Sequence, residues 1–276
     1  MTTASQGIPL PPGLAELAAV DRRELARGRA AQATLVLGPG QSGKRRLLLA
    51  MAAARLCELQ GEGAPCGGCR ACRLVAEGQH PDLLVAEAPL KVDGLRQLLG
   101  ELALRPVEAA RRVALLPDVD LATVSAANAL LKTLEEPPPR ASLLLSASRL
   151  DLVLPTLRSR CRQWVLRPAA PQAVAAYLLE SGLVQDASRA AALARRAAGR
   201  LEWAIQVAAD REIERDGDQS MDALEGLLRA PRSDRLRQAA ELARRPETLP
   251  MLLEAWLLWL RDALLCKLGL DGAVGN

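Results

Sequence analysis

The chain has 276 residues, half of them apolar and a quarter charged, which excludes an intrinsically disordered protein and a membrane bundle and predicts more than one unit at ~100–200 residues per domain. Its formal net charge of +4 rests on 32 arginines against 4 lysines, a mild basicity compatible with nucleic acid nearby but common in other proteins. No apolar run reaches the ~18–20 residues that span a bilayer, and the first basic residue, Arg22, follows a Pro-rich start, so a soluble, cytoplasmic protein without a secretory leader is expected.

Residues 33–38 (Ala-Thr-Leu-Val-Leu-Gly) read as a buried strand ending in a Gly/Pro turn. Gly38 to Gly43 is a loop, and Lys44 to Leu59 carries Leu and Ala at helical spacing. Beyond a cysteine cluster, strands are expected at 82–86, 112–116 and 142–146, alternating with helices at 92–104 and 126–135. That alternation predicts a parallel sheet covered on both faces. Past Arg167-Pro168 only helices are expected: 171–180, 188–198, 201–209, then a charged linker from Asp210 to Asp218, and helices near 219–229, 233–245 and 248–268.

Gly38-Pro39-Gly40-Gln41-Ser42-Gly43-Lys44 matches the first seven positions of the P-loop pattern. Such glycines let backbone N–H groups close around phosphates at a helix N-terminus, and the lysine meets the β/γ oxygens. Placement between strand and helix favours a P-loop over a mere tight turn. The eighth position, normally a hydroxyl ligand of Mg²⁺, is Arg45. The strand ending Leu115-Leu116-Pro117-Asp118 is where an acidic pair for metal and water would sit; only Asp118 is acidic, after Pro117. Two losses in one metal shell predict a site that does not hydrolyse ATP.

Cys57, Cys66, Cys69 and Cys72 form two overlapping C-x-x-C steps with a fourth thiol nearby. Four thiolates can close a tetrahedron around a structural Zn²⁺; a redox pair, buried cysteines and an iron–sulfur cluster are the alternatives. His80, the only histidine, lies outside the cluster and is expected to be structural. Ser159-Arg160-Cys161 follows the fourth strand, but on composition Arg158 and Arg162 have equal standing.

Asn128-Ala129-Leu130-Leu131-Lys132-Thr133-Leu134-Glu135-Glu136-Pro137-Pro138, the four-cysteine insert and Leu157-Arg158-Ser159-Arg160-Cys161 together resemble the clamp-loader branch of the bacterial AAA+ proteins. The resemblance covers about 30–210. It implies an AAA+ P-loop domain with a parallel sheet and a zinc-binding insert (1–167, zinc module about 57–72), a small helical lid (168–210) and a C-terminal helical collar (211–276), short for the family. Within the family the motor subunit keeps a complete metal shell, so Arg45 and Pro117-Asp118 look like the non-motor stator type. An approximate alignment places Glu202 where the motor has a phosphate-contacting arginine. The resemblance further implies a five-subunit ring with gamma/tau and delta subunits, acting on a sliding clamp and primed DNA. It singles out Arg160, held by Ser159 and Cys161, as an arginine finger presented to ATP bound by the neighbouring subunit. Gly38, Gly43, Lys44 and Asp118 would be a degenerate nucleotide site, and Cys57, Cys66, Cys69 and Cys72 the zinc ligands.

Two other classes compete. A divergent gamma/tau-type ATPase would want a hydroxyl at 45 or an aspartate at 117. A zinc-dependent DNA-binding module would want more basic and aromatic residues than Arg70 and Arg73 supply. On the last helix Leu252, Leu253, Trp256, Leu257 and Trp259 fit either the domain's own core or a neighbour.

Overall fold

The computed structural model describes residues 10–59, 61–210, 213, 222–244 and 249–269. They fall into two compact units, Met1–Pro168 and Ala169–Asn276.

The first unit opens with α1 (Pro12–Ala26), started by a proline whose missing N–H costs nothing at the first helical position. Five strands follow: β1 (Ala33–Leu37), β2 (Leu83–Val85), β3 (Arg112–Leu116), β4 (Ala141–Ala147) and β5 (Arg162–Val165). All pair in parallel in the order β2-β3-β4-β1-β5. Every residue of β1, β3 and β4 is buried, as the near-continuous apolar runs of a sheet covered on both faces require. The crossovers are α2 (Lys44–Leu56), α3 (Arg70–Ala76), α4 (Val92–Leu102), α5 (Val124–Glu135) and the single turn α6 (Pro155–Arg158). Leu35, Leu116, Leu143 and Leu145 of the sheet meet Leu95, Leu102, Leu130 and Leu157 of the helices in one core. Behind α2, the fully buried guanidinium of Arg55 makes two hydrogen bonds to the Asp21 carboxylate, tying α1 to α2.

Three elements are absent from the sequence reading. α1 begins inside the Pro-rich start, α3 is only seven residues long between cysteines, and β5 buries a single side chain, Trp164. α2 also ends at Leu56, short of Leu59, because Cys57 turns to extended backbone.

In the second unit α7 (Pro171–Glu180), α8 (Ala187–Ala197) and α9 (Leu201–Ala209) pack together around Val174, Leu178, Leu193, Leu201 and Val207. Asp186 caps α8 by accepting from Ser188 and Arg189 N–H. A helix described over 222–229 (α10), α11 (Arg232–Ala243) and α12 (Leu249–Lys267) follow. Most of the expected charged linker, and the expected lid–collar boundary at 210/211, lie outside the described residues. Among the described residues no helix is long and apolar enough to cross a membrane.

Candidate functional site

The P-loop leaves the carboxyl end of β1, where open parallel sheets place their ligands. Gly38 is pinned there: a Cβ on it would sit 3.0 Å from both Cβ and the carbonyl oxygen of Leu166, after β5. Gly43, at φ +95°, turns the loop into α2, a conformation that favours glycine. Gln41 adopts φ +56° without being glycine. Lys44 Nζ donates to the carbonyls of Gly38 (2.9 Å) and Pro39 (2.8 Å) and to Ser148 Oγ at the end of β4 (2.8 Å). The buried ammonium thus lies along its own loop. Arg45 is exposed in the first turn of α2.

Across the sheet, Asp118 follows β3 with a left-handed backbone (φ +47°) and donates its N–H to Ser146 Oγ. Burial pushes its carboxyl above the ordinary value; the Lys44 charge opposes this and the Asp120 carboxylate adds to it. Asp120 is buried and accepts from the backbone N–H groups of Ser148 and Arg149 through Oδ2, while its Oδ1 has no hydrogen-bond partner. Gly38, Gly43, Lys44 and Asp118 therefore cluster at one end of the sheet, joined by Asp120, Ser146 and Ser148. Sequence reasoning missed those three; the signal for Asp120 was its position two residues beyond Asp118.

The four cysteines come together. Their Sγ atoms all lie within 4.8 Å of one another, Cys57 and Cys72 buried and Cys66 and Cys69 half-buried. Cys57 Sγ is 3.9 Å from Cys69 Sγ, close to the roughly 3.8 Å separation that ~2.3 Å Zn–S bonds impose on a tetrahedron. Backbone N–H groups of Cys66, Cys69 and Cys72 point at sulfurs of Cys57, Cys66 and Cys69, the pattern that favours thiolates. Such bonds from Cys69 and Gly68 lower the Cys66 thiol to about 7, whereas burial raises Cys57 and Cys72. Cys69 also caps α3. The donor set fits a soft tetrahedral ion. His80 is buried nearby with Nδ1 accepting from Asp82 N–H at 3.0 Å.

Arg160 follows α6 on the surface. Its Nη1 donates to the Thr156 carbonyl (2.9 Å) and its Nη2 pairs with Glu135 Oε1 (2.7 Å) at the end of α5. Ser159 Oγ donates to the same carbonyl at 3.1 Å, and Cys161 is buried, its thiol pushed up to about 12 by desolvation. The neighbouring arginines differ. Arg162 pairs with Glu24 and lies 5.6 Å over the Trp164 ring, and Arg158 has its Nε buried. In the second unit Glu202 occupies the first turn of α9, beside Arg200, which stacks 5.2 Å from the Trp203 ring.

The model of the family described as DNA polymerase III, delta subunit, matches residues 15–170. Subunit delta′ of DNA polymerase III from Pseudomonas aeruginosa is 42% identical over 142 residues, 50% of this chain and 43% of that protein. Its Escherichia coli counterpart is 35% identical over 170 residues, 59% of this chain and 51% of that protein. The chain belongs to the delta-prime family of DNA polymerase III clamp-loader subunits. It spans about half the length of the delta-prime relatives it matches. Subunit tau of DNA polymerase III from Escherichia coli is 30% identical over 210 residues, 74% of this chain and 33% of tau. A RuvB variant from Thermotoga maritima superposes with a TM-score of 0.50 at 14% identity, covering 77% of this chain and 63% of that one, a likeness of fold.

Proposed function

We propose that this delta-prime chain is the non-hydrolysing stator of a DNA polymerase III clamp loader, acting in the cytoplasm to help place a sliding clamp on primed DNA. Its partners are gamma/tau and delta subunits in a five-subunit ring. The observation that carries the reading is the dismantled metal shell. Arg45 replaces the hydroxyl ligand and Pro117 replaces the first acid, while Asp118 is held in a left-handed turn with its carboxyl raised by burial. Glu202 in place of a phosphate-binding arginine agrees.

Hydrolysis then belongs to the neighbour, and this chain contributes Arg160. A guanidinium at an interface stabilises charge on the transferring γ-phosphoryl, an effect worth ~10³–10⁵ in rate where such fingers have been measured. The Ser-Arg-Cys resemblance, not exposure, singles out Arg160: Arg160 and Arg162 are both on the surface and both paired, with Glu135 and Glu24, while Arg158 is partly buried. Ser159 and Cys161 hold the turn, one through the Thr156 carbonyl and the other from the core. Cys57, Cys66, Cys69 and Cys72 would hold one structural Zn²⁺, which closes the 57–72 insert and supplies no chemistry to the reaction. The lid is 168–210 and the collar 211–276, its α12 carrying the assembly surface.

The runner-up, a divergent gamma/tau-type ATPase, draws on the retained glycines and Lys44 and on the likeness to tau. Turnover by the purified chain alone separates the two, and Arg160→Ala tests the finger. In a loader reconstituted with its motor and delta subunits, the substitution lowers clamp-stimulated ATP turnover on the order of tenfold while the ring still assembles on gel filtration. Unchanged turnover, or loss of the ring, contradicts the finger role.

A further inference from the structure

Glu135 is the last residue of α5, where the helix presents its unpaired carbonyls. A carboxylate there faces the negative end of the helix dipole, so Glu135 is a poor choice for the helix itself. Such a local inconsistency points to a task outside the element. The side chain is half exposed and its Oε1 lies 2.7 Å from Arg160 Nη2. On the other terminal nitrogen, Nη1 donates to the Thr156 carbonyl at the end of α6. Two anchors on two nitrogens fix the plane of the guanidinium, and Nε–H has no acceptor among the described residues. Glu136, next along, is equally exposed and makes no ion pair among the described residues.

A surface arginine is long and gives up much rotamer freedom when it is ordered. A finger that must be ordered at the moment of reaction forfeits that freedom then; one ordered beforehand is already in position. We propose that Glu135 is the positioning residue of Arg160, orienting its guanidinium for the neighbour's nucleotide before the subunits meet. The proposal rests on the finger role of Arg160 given above. Glu135 touches no substrate and acts only through Arg160.

The test is ATP turnover by the reconstituted loader with Glu135→Ala, Glu135→Gln, Glu136→Gln and Arg160→Ala chains, and the Glu135→Ala/Arg160→Ala double variant. Glu135→Ala should lower kcat about three- to fivefold, the size an exposed ion pair supports, with KM for ATP unchanged. Glu135→Gln, which keeps the acceptor oxygen, should recover part of that loss, and Glu136→Gln, the same change in net charge, should match the parent chain. In the Arg160→Ala background Glu135→Ala should change nothing further. If Arg160→Ala slows turnover but Glu135→Ala leaves it unchanged or faster, the finger stands and the positioning role falls. Equal losses from Glu135→Ala in both backgrounds would also overturn it, because Glu135 would then act elsewhere. If Arg160→Ala itself has no effect, the finger reading fails and takes the positioning role with it.

Discussion

A P-loop lysine normally puts its charge on phosphate oxygens; Lys44 puts it on two carbonyls of its own loop and on Ser148. At the opposite, amino-terminal end of the sheet a second buried ionic group has a structural task. Asp82, fully buried, accepts from the N–H groups of Val107, Glu108 and Ala109 and faces Arg112. Burial opposes its ionisation, but the three N–H groups and the Arg112 charge outweigh it, and the carboxyl is held below 3.8. A depressed acid stabilises the fold fully above its unfolded pKa, and that contribution is lost as pH falls through the folded value. Asp82→Asn should therefore destabilise the chain by about 2 kcal/mol at pH 7, with the gap to the parent chain narrowing below pH ~4. Urea melts at pH 7, 5 and 3 check this; a gap constant across all three would contradict it.

At the scale of elements, β1, β3 and β4 were legible because burial on both faces leaves unbroken apolar runs, and the cysteine cluster was legible because its close spacing brings four Sγ atoms within 4.8 Å of one another. β5 was not: three of its four residues face solvent, so no apolar pattern marks it. The pairing of Glu135 with Arg160 was equally hidden, since both lie in recognisable motifs but nothing in either says that they touch. Within the insert, α3 is a short helix started by the sulfur of Cys69, and its Cys72 joins Cys57 and Ala64 in a core too small to stand alone. Structural zinc can contribute ~10–16 kcal/mol to folding such a module. Metal analysis should find about one zinc per chain, and a Cys69→Ser chain should lose it together with protease resistance between 57 and 72. Full zinc retention in that variant would remove the four-ligand assignment.

On the scale of the whole molecule, the first unit exposes Arg160 and α12 of the second exposes an apolar stripe. Leu253, Leu257, Leu260 and Leu264 are all exposed, spaced four, three and four residues apart, so they share one helical face. Leu252, Trp256 and Trp259 are half-buried and Asp262 is buried. The five apolar residues singled out on this helix thus divide between its own packing and solvent, which sequence periodicity could not separate. Leu257→Glu should leave stability within ~0.5 kcal/mol of the parent chain and abolish ring formation on gel filtration; a ring that still forms would move assembly to another surface. The most direct test of the whole account is Mg·ATP hydrolysis by the purified chain alone. The account predicts no turnover above background and no change with Lys44→Ala; turnover that disappears with Lys44→Ala would contradict it.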